Sequence, residues 1–267
     1  MRKLSKTLLL AMAATLAITP AFAEEDDGTS PPWSQADEYY GREAMSKARA
    51  DVQHEAGGQT NWFVMADRFE TQIFDDEEAL VFDAQGWYGG DINKLWVKAE
   101  AEYSFEDEDL EDAEIQALWS RAIAPYFDVQ AGLRYDLEPK GRAHAVLGVQ
   151  GLAPYWFEVD AAAFVSTEGD VTARLEAEYE LLLTQRLILQ PRLEASLSAQ
   201  DIPDLQLGSG LTSVDAGLRL RYEIVREFAP YIGVEWQSAI GDTADFIEAS
   251  GGEKDQTALL VGVRTWF

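Results

Sequence analysis

The sequence predicts an all-β protein: a transmembrane antiparallel up-and-down β-barrel of about twelve strands with a short, partly disordered N-terminal arm. Three observations predict this fold. Apolar and polar residues alternate with period two from Asn61 onward, every second connection is tight, and the alternating last segment ends on Phe267. After residue 23 there is no run of about 18 apolar residues, so a helical membrane protein is excluded.

Residues 1–23 are predicted to be a removable signal peptide. Its first six positions carry three basic residues, and the apolar stretch from Leu8 to Ile18 is too short to span a bilayer as a helix. Ala21 and Ala23 are small residues where a signal peptidase reads, so the mature chain is expected to begin at Glu24. That chain keeps 18 Lys and Arg against 48 Asp and Glu, a net charge of −30.

The composition narrows the possible partners. Such a charge repels backbone phosphates, so nucleic acid is excluded as a partner, whereas cations are favoured. There is no cysteine, so neither disulfides nor thiolate metal sites are possible. Residues 24–60 are predicted to form an acidic periplasmic arm: 24–32 are charged and proline-bearing, as in disordered segments, and 36–52 could form a short helix before Gly57-Gly58.

The predicted barrel occupies residues 61–267. Apolar–polar alternation is clearest at 95–106, 127–137, 171–181, 187–197 and 214–224, and weaker at about 61–74, 79–89, 113–123, 143–152, 156–167, 228–240 and 255–267. Alternation alone fits either a soluble two-sheet sandwich or a membrane barrel. The tight even-numbered connections opposite longer polar ones favour the barrel, as does the terminal phenylalanine.

Aromatic residues and charges on the polar face also favour the barrel. Aromatic residues gather near strand ends, which is typical of interfacial girdles, although ordinary core aromatics would give a similar pattern. They are Trp87, Tyr88, Trp96, Trp119, Tyr126, Phe127, Tyr155, Trp156, Phe157, Phe228, Tyr231 and Trp236. The predicted lumen is acidic, with Glu100, Glu102, Asp128, Glu158, Asp160, Glu176 and Glu178 pointing inward. Its charge would either concentrate cations or form ion pairs that only stabilise the barrel.

The chain offers little for catalysis. A lipid-cleaving barrel needs a histidine, a nucleophilic serine and an orienting polar residue together, and only His54 and His144 exist, without a suitably spaced serine. We therefore expect no enzyme. Candidate metal ligands are Met45 and His54 on the arm, with Met65 and His144 on strands. Each has an ordinary alternative: strand packing for Met65, an exposed polar residue for His54 and a rim residue for His144.

Several long segments resemble the copper resistance protein B family of Gram-negative outer membranes. They include Gly86-Trp87-Tyr88-Gly89-Gly90-Asp91 and lie at 83–96, 120–126, 130–136, 145–158, 182–192 and 228–236. The arm around Met45 and His54-Glu55-Ala56-Gly57-Gly58 resembles the segment that precedes the barrel in that family. The resemblance implies copper as the bound or transported ion, a place in the outer-membrane lipid, and work alongside a periplasmic multicopper oxidase.

One departure from the family pattern matters. Family members often carry a Met- and His-rich stretch before the barrel, whereas residues 24–40 here contain neither residue type and are acidic. The barrel, with Met45, His54 and Met65, is therefore the expected copper-handling part. Two hypotheses remain at this point: copper binding or passage through an acidic lumen, and a structural or general-diffusion barrel without a specific metal site.

Overall fold

The computed structural model describes residues 32–75, 77–106 and 108–267. The predicted signal peptide and the acidic start of the arm, residues 24–31, lie outside the described residues. The chain divides into two compact units, with the boundary after Gly57. The first unit contains the arm and the second contains the predicted barrel.

The arm unit is helical where the structure describes it. A 3-10 turn at Pro32–Ser34 precedes α1 (Asp37–Tyr40) and α2 (Arg42–Ala56), so the predicted helix is present in two pieces. Gly41 separates them with φ 83°, a left-handed conformation that suits glycine. Arg49 donates to Asp37 at 2.8 Å and stacks over the Trp33 ring, and the hydrogen bond from its guanidinium lowers the pKa of Asp37. No described helix is both long and apolar enough to cross a membrane.

The second unit is one antiparallel sheet closed into a barrel. Its strands are β1 (Asn61–Ile73), β2 (Glu78–Gly89), β3 (Asn93–Ser104), β4 (Asp109–Ala124), β5 (Phe127–Glu138), β6 (Arg142–Ala153), β7 (Phe157–Ser166), β8 (Val171–Tyr179), β9 (Leu181–Leu182), β10 (Leu187–Ser198), β11 (Gly210–Tyr222), β12 (Phe228–Ala239) and β13 (Asp255–Trp266). Both β8 and β9 pair with β10 and act as one strand, so the wall has twelve. Pairing of β13 with β1 closes it and confirms the predicted fold.

The barrel is inside-out relative to a soluble protein. Outward-facing Leu133 and Leu147 are 66% and 62% exposed, whereas inward-facing Glu70 and Gln72 are 1% exposed. A soluble sandwich would bury the leucines and expose the glutamate, so the apolar outer face identifies a surface for lipid. The period-two pattern therefore has the orientation expected of a transmembrane barrel.

The connections differ in length between the two ends. One end carries Asn61, Trp266 and every even-numbered connection, all of which are tight as predicted, and we call it the tight-turn end. At the opposite loop end only two connections are long, 199–209 and 240–254; the other four are short, so the predicted contrast is confirmed only in part. The longest contains α3 (Asp242–Ser250), which was not predicted. Thr243 of this helix accepts a hydrogen bond from the Gly208 amide at 2.8 Å, so the two long connections contact each other.

A β-bulge in β1 explains why its sequence pattern is weak. The register with both neighbouring strands shifts between Ala66 and Phe69. The bulge places Asp67 and Arg68 on the same lumenal side, where they pair with Arg264 and Asp83. Inward positions are odd before it and even after it, so no single period-two register fits the strand.

The predicted aromatic girdle is only partly correct. Tyr88, Tyr126 and Trp156 lie on the outside and are more than 60% exposed. Trp87 and Trp96 instead line the lumen, where the Trp96 indole donates to Gln85 at 3.1 Å. Tyr231 is 5% exposed and donates to the Glu70 carboxylate at 2.9 Å. Trp96 and Tyr231 thus have polar partners inside the barrel, which the amphipathic character of tryptophan and tyrosine allows.

Candidate functional site

The tight-turn half of the lumen contains a cavity of about 430 Å³, which we call the vestibule. It is lined by residues of β1 to β8 and β13 and reaches the tight connection at Pro125 and Tyr126. Six of the seven predicted lumenal acids line it: Glu100, Asp128, Glu158, Asp160, Glu176 and Glu178. The alternating strands place these carboxylates together because every second residue of each strand faces inward.

Fewer cations than carboxylates line the vestibule. Its walls include eight acids and four cationic side chains, so the formal charge of the lining is −4. Some acids are neutralised across the lumen. Lys94 binds Asp128 at 2.8 Å and Lys98 pairs with Asp160. Among the described residues Glu158 has no ion-pair partner, and it lies directly opposite Glu178 in the pairing of β7 with β8. The vestibule can therefore attract a mobile cation.

Met65 brings a soft ligand to this acidic space. Its sulfur accepts a hydrogen bond from Arg264 at 3.4 Å, and its side chain lines the vestibule. Arg264 also pairs with Asp67 and Glu180, each at 2.7 Å, so its charge is already balanced. Met65 is thus a thioether that faces a polar cavity rather than one packed in an apolar core.

His144 lies inside the barrel rather than at its rim. It is 6% exposed, its Nε2 lies 2.9 Å from the Asp136 carboxylate, and its Nδ1 is buried without a partner among the described residues. Arg134 is its register partner on β5, and Arg142 precedes it by two residues on the same inward face of β6. These two guanidinium groups disfavour binding of a further cation at the imidazole.

Met45 and His54 lie nine residues apart on α2. At about 100° per residue they project from opposite sides of the helix, and their rise along the axis differs by about 13 Å. His54 is exposed and Met45 is half-buried. The helix does not bring the two side chains together, so they cannot ligate one ion within a single copy of α2.

The seventh predicted acid, Glu102, lies away from the vestibule. It faces Asp112 across β3 and β4, toward the loop end. In the part of the chain that the structure describes, no three His, Cys, Asp or Glu side chains converge as a preformed metal site. The predicted metal ligands are therefore dispersed.

Buried lumenal carboxylates that the sequence patterns did not reveal hold the barrel together. Glu70, 1% exposed, accepts hydrogen bonds from Arg219 at 2.7 and 3.0 Å and from Tyr231. Glu114, 3% exposed, pairs with both Arg134 and Arg174. The bulge in β1 hid the inward direction of Glu70 from the period-two pattern. For Glu114 the alternation was present, but inward Leu118 interrupts the polar face of β4.

Comparisons with known proteins agree with this architecture. Residues 60–267 match the protein family described as Copper resistance protein B precursor (CopB). The chain is 41% identical over 238 residues to Copper resistance protein B of Escherichia coli, covering 89% of this chain and 78% of that one. The homolog of that protein in Pseudomonas syringae pv. tomato (strain ATCC BAA-871 / DC3000) is also 41% identical, over 89% of this chain and 79% of its own.

A solved structure supports the fold independently of sequence. The NanC porin superposes with a TM-score of 0.51 at 10% identity, covering 77% of this chain and 99% of its own. At that identity the likeness concerns the outer-membrane barrel fold alone. Together with the match over residues 60–267 and the 41% identical relatives, it leads to one conclusion: the chain belongs to the copper resistance protein B family.

Proposed function

We propose that this protein binds or passes copper ions at the outer membrane, as part of copper resistance and without catalytic turnover. One observation carries the proposal: a vestibule inside the barrel with excess carboxylates and a thioether on its wall. The carboxylates raise the local cation concentration, and Met65 supplies a ligand that selects a soft metal. Copper ions are the cargo of this site.

The donor types divide between the two oxidation states of copper. A thioether suits Cu(I), whereas carboxylates and imidazole suit Cu(II). Met65 is the first candidate for Cu(I), with vestibule acids such as Glu158 and Glu178 holding either ion weakly. Arg264 must turn away from the sulfur when copper binds, and Asp67 and Glu180 can retain it. Met45 and His54 would act as separate single ligands on the arm.

The proposed function includes an orientation of the barrel in the outer membrane. In barrels of this type short turns face the periplasm and long loops face outward. The tight-turn end and the vestibule would then lie on the periplasmic side, where we also propose that the arm lies. A periplasmic multicopper oxidase is a fitting partner because it would meet copper at that mouth.

A structural barrel is the second candidate, and the cross-lumen ion pairs favour it. Lys98 on β3 reaches Asp160 on β7, and Arg264 on β13 reaches Glu180 next to β8. Such pairs fill the interior and tie distant strands together. A general-diffusion channel needs an open aqueous path, so these pairs count against unselective passage.

Titration of the refolded full-length barrel with Cu(I) and Cu(II) tests the proposal. Met65→Leu keeps the volume of the side chain but removes the sulfur, so we expect Cu(I) affinity to fall about tenfold, equivalent to about 1.4 kcal/mol. Affinity for Cu(II) should stay unchanged and serves as the internal control. An unrelated acidic barrel provides the baseline, and equal affinity for that barrel and this one would contradict a copper site.

A further inference from the structure

Two rows of carboxylates face each other across the lumen. The first row runs across β2 to β5 and the second across β7, β8, β10 and β11, and within each row neighbouring members are direct register partners. Row one is Asp83, Glu100, Glu114 and Asp136; row two is Asp160, Glu176, Glu194 and Asp215. Like charges directly opposite each other on neighbouring strands repel. Cationic side chains that contact both rows offset this repulsion.

Five basic side chains of the barrel supply those cations: Arg68, Lys98, Arg134, Arg174 and Arg192. Eight carboxylates against five cations leave the rows with a formal charge of −3. The rows therefore form a belt that is built around cations and still holds an excess of negative charge.

Arg174 is the member of this set that joins the two rows. From β8 its Nη1 lies 3.0 Å from Glu100, its Nη2 lies 3.1 Å from Glu114, and its Nε lies 3.4 Å from Glu194. Row one lies on the opposite wall, so the side chain spans the lumen. A mobile cation moving between the rows would seek these same oxygen atoms.

The surroundings of Arg174 place it at the inner limit of the vestibule. Its side chain and Glu100 line the cavity, whereas the Glu114 side chain behind them is only 1% exposed. The ring of Phe164 lies 6.0 Å from the Arg174 guanidinium and 4.8 Å from that of Arg134. Phe164 also packs with Leu118 and Val146 in an apolar cluster inside the lumen. Arg174 therefore lies beside this apolar cluster and in contact with carboxylates of both rows.

We propose that Arg174 is a tethered counter-ion that closes the lumen and determines whether cations pass between the two carboxylate rows. An entering cation replaces the guanidinium at Glu100, Glu114 and Glu194, and the arginine side chain returns when the ion leaves. The inference rests on the proposed entry of cations into the lumen. It adds the residue at which passage is controlled.

Ion conduction in planar lipid bilayers tests this with potassium chloride and no copper. Arg174→Gln removes the charge but keeps hydrogen-bonding groups, so we expect the single-channel conductance to rise by about threefold or more. The reversal potential in a salt gradient should shift further toward that of potassium. Arg174→Lys restores a tethered cation and should conduct like the unaltered protein.

Arg186→Gln is the matched control because it removes the same charge from an exposed tight connection. It should leave conductance unchanged. The double variant Glu114→Gln/Arg174→Gln removes one charge of each sign and guards against misfolding, with folding checked by the heat-dependent mobility of the barrel in detergent gels. A folded Arg174→Gln protein, alone or combined with Glu114→Gln, that conducts like Arg186→Gln would overturn the proposal. It also fails if neither variant folds, since Arg174 is then a structural residue.

The result separates this inference from the proposed copper function. Increased potassium conductance together with unaltered copper binding in Met65→Leu would support control by Arg174 and contradict the copper site. Weakened Cu(I) binding in Met65→Leu with no conductance change in Arg174→Gln would do the reverse.

Discussion

Inward-facing glutamates have different roles in the cluster around Glu70 and in the vestibule around Glu158. Glu70 is 1% exposed and accepts four hydrogen bonds, from Arg219, Tyr231 and Gln72. Glu158 is exposed to the vestibule and faces another carboxylate, Glu178. An inward-facing glutamate is thus structural where its donors are complete and available to cations where they are missing.

The Glu70 cluster should be the most sensitive to loss of a charge. We expect Glu70→Gln to lower the free energy of unfolding by about 3 kcal/mol, because it leaves the buried Arg219 guanidinium short of a charged partner. Urea-induced unfolding in lipid, followed by tryptophan fluorescence, measures the change. The same substitution at Glu158 is the matched control, and an equal loss at both positions would remove the distinction between the regions.

Room for the Glu70 cluster depends on a glycine in β13. A Cβ at Gly262 would lie 2.6 Å from the Cβ of Glu70 and 2.7 Å from the Tyr231 hydroxyl. We expect Gly262→Ala to lower the free energy of unfolding by about 2 kcal/mol, because the added methyl group overpacks a site without free space. Gly90→Ala is the control, since an added Cβ there meets only the Gln59 carbonyl oxygen, at 3.6 Å. If Gly262→Ala lowered the free energy of unfolding by less than Gly90→Ala does, the side chains of the Glu70 cluster would have to be able to shift.

The two regions also differ in how well the sequence predicted them. Alternation predicted nearly all of the wall, including β5 and β10 to within one or two residues, because period two reports one local property. The bulge at Asp67 and Arg68 escaped it because one extra residue reverses the parity. The helix α3 escaped because its short segment lies between glycines in a polar connection.

Partner choice in the lumen could not be predicted at all. The inward direction of Glu100 and Glu176 follows from their own strands, but the arginines that they contact depend on shear and tilt of the closed barrel. Arg174 reaches Glu100, 74 residues earlier in the chain, and no local pattern encodes that contact. Met45 and His54 are a different case: their nine-residue spacing already departs from the helical i, i+4 pattern, and α2 places them on opposite sides.

The smallest change in stability is expected at Glu158, where the substitution should stabilise the barrel rather than destabilise it. Because like charges directly opposite on paired strands repel, Glu158→Gln should raise the free energy of unfolding by about 0.5 kcal/mol. It should also weaken cation binding in the vestibule about twofold, since one charge of the lining is lost. Glu253→Gln, at an exposed position of the loop end, makes the same change in charge away from the lumen and should alter neither quantity. A loss of stability at Glu158 would mean that it has a structural role like that of Glu70. A gain in stability accompanied by weaker cation binding would show that the vestibule keeps unpaired acids at the expense of stability.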